Sequence, residues 1–134
     1  MQFQRPKIIV RTAAVLTALL SLSALAVIGS WAYRAVAGPH TIRYRDLLGC
    51  ALFAIVPLMF VWASVRAWRF TPKGIVSIYS GWLLFGFMAA FVHLFHFFED
   101  WRLRDGIASL VSICAFLVGL LVARQHRFLQ IHAA

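Results

Sequence analysis

His93, His96 and Asp100 are the side chains best placed for chemistry in this sequence, spaced three and four residues apart with Glu99 alongside. Residues at those spacings stack on one face of a helix, so both imidazoles and a carboxylate can converge on one ion or polar group. Two histidines and a carboxylate suit zinc, copper or non-haem iron. The metal candidates are therefore His93, His96 and Asp100, with His40 on an earlier connecting segment as a further nitrogen ligand. The same imidazoles can instead hydrogen-bond a quinone carbonyl. Tyr79 and Trp82, further back on the same helical face, complete a cofactor-binding set of His93, His96, Tyr79 and Trp82. A b-type haem needs an axial ligand from each of two spans at comparable depth. A single histidine-bearing span meets that need only if two copies each donate one. Against all three stands a plainer reading. Here the histidines bond backbone or lipid headgroups, while Glu99, Asp100, Arg102 and Arg104 form a paired, solvated rim.

The element that carries these residues is one of four apolar runs. Charge-free stretches occupy 12–33, 47–65, 74–98 and 106–123 of the 134 residues. About 20 apolar residues at about 1.5 Å each cross a hydrocarbon core about 30 Å thick. Nothing alternates as a barrel strand would, and in lipid the backbone must satisfy its own hydrogen bonds. The spacing thus predicts an all-α fold with spans at 12–33, 47–65, 75–98 and 106–123. Short connections make it a single up-down-up-down domain. The first run is too long for a signal-peptide h-region, and Arg34 interrupts the cleavage region, so it reads as an uncleaved span.

Within the third span, Tyr79, Trp82, Gly86, Ala90, His93, His96 and Asp100 share about a third of the circumference. Leu84, Phe87, Phe91, Phe95 and Phe98 lie opposite and suit lipid, so the first face should point into the bundle. In the first span, Thr17, Ser21, Ala24 and Ile28 form a small-residue packing stripe. Pro57 interrupts the second span's hydrogen bonding and predicts a kink there. Thr71-Pro72-Lys73-Gly74 reads as a tight turn, and His126 and His132 as part of a C-terminal tail. Cys50 and Cys114 fall at different depths and read as unpaired packing residues.

Composition excludes several classes. A hydrophobic share of 63% with 13% charged residues is outside the range of water-soluble domains. The net charge of +9 does not signal nucleic-acid binding, because the basic residues cluster at the ends of the apolar runs. There they anchor helices and meet anionic headgroups. Eight Lys or Arg flank one side of the predicted bundle and five the other. The positive-inside rule therefore puts both termini in the cytoplasm, in a bacterial inner membrane. No phosphate loop, nucleophile elbow or H-E-x-x-H motif is present, so no catalytic activity of its own is expected. No span carries a mid-depth Asp, Glu, Lys or Arg, which disfavours a transporter. The expected role is an accessory, anchoring or assembly subunit of a larger membrane complex, its partners being the bilayer and other subunits or copies of itself. The alternatives are a redox-associated anchor binding quinone, haem or a transition metal near the outer end of the third span, and a small oligomeric channel or exporter.

Overall fold

The computed structural model describes residues 4–37 and 44–133. Short turns aside, they form four helices: α1 (Gln4–Ala37), α2 (Tyr44–Trp68), α3 (Pro72–Asp100) and α4 (Leu103–Ala133). Each is long and apolar enough to cross a membrane. The all-α class and the number of long apolar helices are as expected.

The helices outrun their charge-free cores, reaching 34 residues in α1 and 31 in α4. The physical reason is that Arg, Lys and Gln are good helix formers, so a helix does not stop at the first charge. Two expectations are corrected by this. His126 is not in a tail but inside α4, where it is buried. The segment Pro72-Lys73-Gly74 is not a turn but the first turn of α3, with Pro72 at the position where its missing N–H costs nothing.

The chain reverses instead at Phe70, whose φ of 56° is left-handed. Its N–H donates to the Ala67 carbonyl at 2.8 Å. The N–H and hydroxyl of Thr71 both donate to the Arg66 carbonyl, at 3.0 and 2.8 Å. A left-handed conformation costs a non-glycine residue about 1–2 kcal/mol. The Phe70 ring offsets this by lying beneath the Arg11 guanidinium, 5.0 Å from its centroid. Trp101 repeats the device between α3 and α4: its φ is 52°, and its ring packs 5.5 Å from that of Phe97. Pro57 does not break α2, which runs through it without interruption.

Tight packing is concentrated towards the end that holds the α2–α3 turn. Val10, Ala13 and Ala14 of α1 meet Ala63 and Ala67 of α2, Ile75 and Ile78 of α3 and Val122 of α4. Most of these are small, and small side chains let helices approach where association gains little from hydrophobicity. The α1 stripe behaves as expected, with Thr17 and Ser21 buried and Ala24 and Ile28 half-buried. On α3, Leu84, Phe87, Phe91, Phe95 and Phe98 are all exposed. α3 and α4 also approach closely. A Cβ on Gly86 would stand 2.6 Å from the Phe116 nitrogen, and one on Gly119 would stand 2.9 Å from the Leu83 nitrogen. Each glycine lets one helix rest on the other's backbone.

Candidate functional site

The four side chains expected to share a cofactor point to four different environments. His93 is half-buried and faces α4, its Nδ1 3.3 Å from Asp105 Oδ1. His96 is exposed, with Nδ1 3.8 Å from Glu99 Oε2 on its own helix. Tyr79 lies at the opposite end of α3, its ring 6.0 Å from that of His126. Trp82 reaches α1, where its indole N–H donates to Thr17 Oγ1 at 2.7 Å. Asp100 pairs with Arg102 at 3.0 Å. His40 lies outside the described residues. Among the described residues, no three His, Cys, Asp or Glu side chains come together as a metal site would require.

The inward face of α3 is thus narrower than the pattern predicts. Gly86 is buried and Ala90 and His93 are half-buried, but His96 and Asp100 are exposed. Beyond His93 this face of α3 is left exposed, so a face that is continuous in sequence loses its partners along its length.

What the sequence reading lacked was the other half of the His93 contact. Asp105, in the first turn of α4, is only 7% exposed. With Ser109, Ser112, Gly119, Val122 and His126 it forms the buried face of α4. Those steps of three, four and seven residues form one helical stripe, and a stripe of mixed polar and small residues is the signal that could have revealed it. Helix geometry explains the pairing: α4 starts immediately after the Trp101 reversal, so its first turn packs beside the last turns of α3. The Asp105 carboxylate accepts from Nδ1–H and so orients the imidazole, leaving Nε2 with its lone pair for a ligand or proton. One turn further along α4, the Ser109 hydroxyl is enclosed and has no hydrogen-bond partner among the described residues. A buried hydroxyl left unsatisfied costs about 1–3 kcal/mol.

A second feature lies deeper. Between the helices lies an open cleft of about 380 Å³, whose walls include Val56, Pro57, Phe60, Trp82, Phe85 and Ala115. Its volume falls within the ligand-pocket range of about 300–1,000 Å³. Three hydroxyl side chains, those of Thr17, Ser21 and Ser112, reach its surface. Thr17 donates to the Ala13 carbonyl at 2.7 Å while accepting from Trp82, and Ser112 donates to the Ala108 carbonyl at 2.8 Å. Neither His93 nor His96 lines it.

No protein-family model, curated protein or solved structure matches this chain.

Proposed function

We propose that this chain is an integral membrane protein that spans the bilayer as an up-down-up-down bundle and serves as an accessory, anchoring or assembly subunit of a larger membrane complex. The observation that carries this reading is that the described chain is used up by four apolar helices and their turns, so its chemistry-bearing side chains sit within or at the rim of the spans. Contacts support the topology. Arg11 near the start of α1 meets Trp68 at the end of α2. Tyr79 near the start of α3 meets His126 near the end of α4. At the opposite end, His93 meets Asp105. Charge supports a cytoplasmic location for both termini. Arg5, Lys7, Arg11, Arg66, Arg69, Lys73, Arg124 and Arg127 belong to the first of these ends, and all four acids of the chain belong to the other.

Much of α2 is left uncovered. It contacts α1 and α3 but not α4, and Leu52, Phe53, Met59 and Trp62 are exposed. This is the face on which we expect another subunit to pack. A photoreactive phenylalanine at Phe53 or Trp62 tests it in intact membranes. Adducts to the same foreign polypeptide from both positions, absent from Leu84 on α3, are expected. Lipid adducts alone from every position would remove the subunit reading. Orientation is checked separately in a chain lacking Cys50 and Cys114. An impermeant thiol reagent should label a cysteine at position 40 and not one at 70, and the reverse pattern would invert the topology.

The redox-anchor reading is favoured by the His93–Asp105 pair, which offers an oriented Nε2 near the end of two spans. Haem within one copy is not supported, because the buried histidine among the described residues, His126, sits at the opposite end of the bundle from His93. A metal there would need ligands from His40 or a partner. A neutral hydrogen-bonding ligand needs only the one nitrogen.

A further inference from the structure

The cleft holds one hydrogen-bond donor with nothing to donate to. Thr17, Ser23, Ser64, Ser77 and Ser112 each give their hydroxyl proton to the carbonyl four residues earlier. That is how a hydroxyl on a helix in lipid normally satisfies itself. Ser21 does not: it is 8% exposed, lines the cleft, and makes no hydrogen bond among the described residues. The Trp82 N–H and the Thr17 and Ser112 hydroxyl protons are already used, so Ser21 supplies the unspent proton in this apolar cleft.

Depth narrows the choice of occupant. Ser21 lies about 14 Å along the helix from the start of the first charge-free run, close to the midplane of a core about 30 Å thick. Phospholipid headgroups stay at the interfaces, and the acyl carbons that reach the midplane bear no acceptor. An occupant that satisfies Ser21 must be a wholly neutral lipid with a carbonyl on an otherwise apolar body. The aromatic walls Phe60, Trp82 and Phe85 suit a flat ring, which gains from edge and offset-stacked contacts as well as from burial.

We propose that this cleft is a binding site for a prenylquinone-class lipid, its carbonyl accepting from Ser21 Oγ and its ring held between α1, α2 and α3. This rests on the membrane-spanning reading, but it moves the quinone away from His93 and His96 to the bundle interior. It also requires no second subunit.

The test uses the whole chain purified from membranes in mild detergent. Extraction requiring detergent would establish the spanning reading independently of what the cleft holds. Organic extraction of the purified protein should then recover about one prenylquinone per chain. Ser21→Val keeps the bulk and removes the donor, and it should lower recovery several-fold. Ala115→Phe should fill the cleft and abolish recovery, while Leu84→Ala on the lipid face should leave it unchanged. Decylubiquinone added to stripped protein should quench tryptophan fluorescence saturably, with most of that quenching lost in Trp82→Phe. Size exclusion and thermal melting confirm that each variant is folded. Three results would overturn the proposal. One is absence of quinone together with no saturable quenching. Another is quenching by brominated-acyl phospholipid that falls in Trp82→Phe and is not relieved by added decylubiquinone, which would mean that acyl chains alone fill the cleft. The third is quinone content that falls in His93→Phe but not in Ser21→Val.

Discussion

The two ends of this bundle solve the problem of helix association differently. Where α2 turns into α3, small side chains close the space completely: Ala13, Ala14, Ala63 and Ala67 are buried among Ile75, Ile78 and Val122. Towards the α3–α4 turn, α3 and α4 stay together through Gly86, Gly119 and the His93–Asp105 pair, but a cleft separates them from α1 and α2. The difference lies in residue size and polarity. Alanine and glycine at steps of three and four allow backbone contact, while Phe60, Trp82 and Phe85 hold the helices apart. A closed end and an open half in one bundle let the same helices combine tight packing with a cleft between them.

The comparison breaks most readily at Gly86. Gly86→Leu drives a side chain into the Phe116 backbone, and overpacking of a well-packed contact costs about 1–3 kcal/mol, occasionally more. We expect the top of that range, read as a large fall in melting temperature in detergent. Leu84→Ala on the exposed face should change it little. Equal and mild effects from the two would show that α3 and α4 are not held by backbone contact.

Next in size is the polar clasp of the same helix pair. His93→Phe leaves the Asp105 carboxylate, 7% exposed, without its imidazole, at a cost of about 1–3 kcal/mol. His96→Phe should cost almost nothing, since that side chain is exposed. A double-mutant cycle on His93→Phe and Asp105→Leu should return a coupling above about 0.5 kcal/mol, as expected for residues in contact. Zero coupling would mean that the clasp does not hold the open half together.

The hydrogen bond from Trp82 to Thr17 links α1 to α3 at the wall of the cleft. Trp82→Phe should cost about 1 kcal/mol, the net worth of a typical intramolecular hydrogen bond. It should also speed hydrogen exchange at Ala13 and Thr17 more than at Ser109. Uniform exchange rates across those sites would remove Trp82 as the boundary between the two regimes.

The smallest effect belongs to the closed end. Arg11 lies 5.0 Å from the centroids of both Trp68 and Phe70. Cation–π contacts at exposed sites contribute about 0.5–1 kcal/mol. Arg11→Gln should therefore lower stability by about that amount, and Arg34→Gln at the other end of α1 by less. A larger loss at Arg34 would reverse the assignment of which end is clamped.

That 12–33, 47–65, 75–98 and 106–123 lie within helices is legible because a long charge-free apolar stretch satisfies its own backbone best as a helix, whatever the neighbours. The exposed apolar face of α3 and the close packing at Gly86 were legible for a related reason. A period of 3.6 residues sorts side chains by face before any partner is known. Helix ends were not, because Arg, Lys and Gln continue a helix as readily as they leave it, so the charge that follows the last apolar run reads as a tail although α4 carries on through His126. The chemistry depended most on tertiary structure. His93, His96 and Asp100 share a helical face, yet a face becomes a site only where another helix closes over it. The reversal at Trp101 brings Asp105 to His93 alone, and His96 stays at the surface beside Glu99 of its own helix. Ser21 shows the same limit from the other side. Its sequence context is that of any packing serine, and only the separation of α1 from its neighbours turns its hydroxyl into an open donor in an apolar cleft.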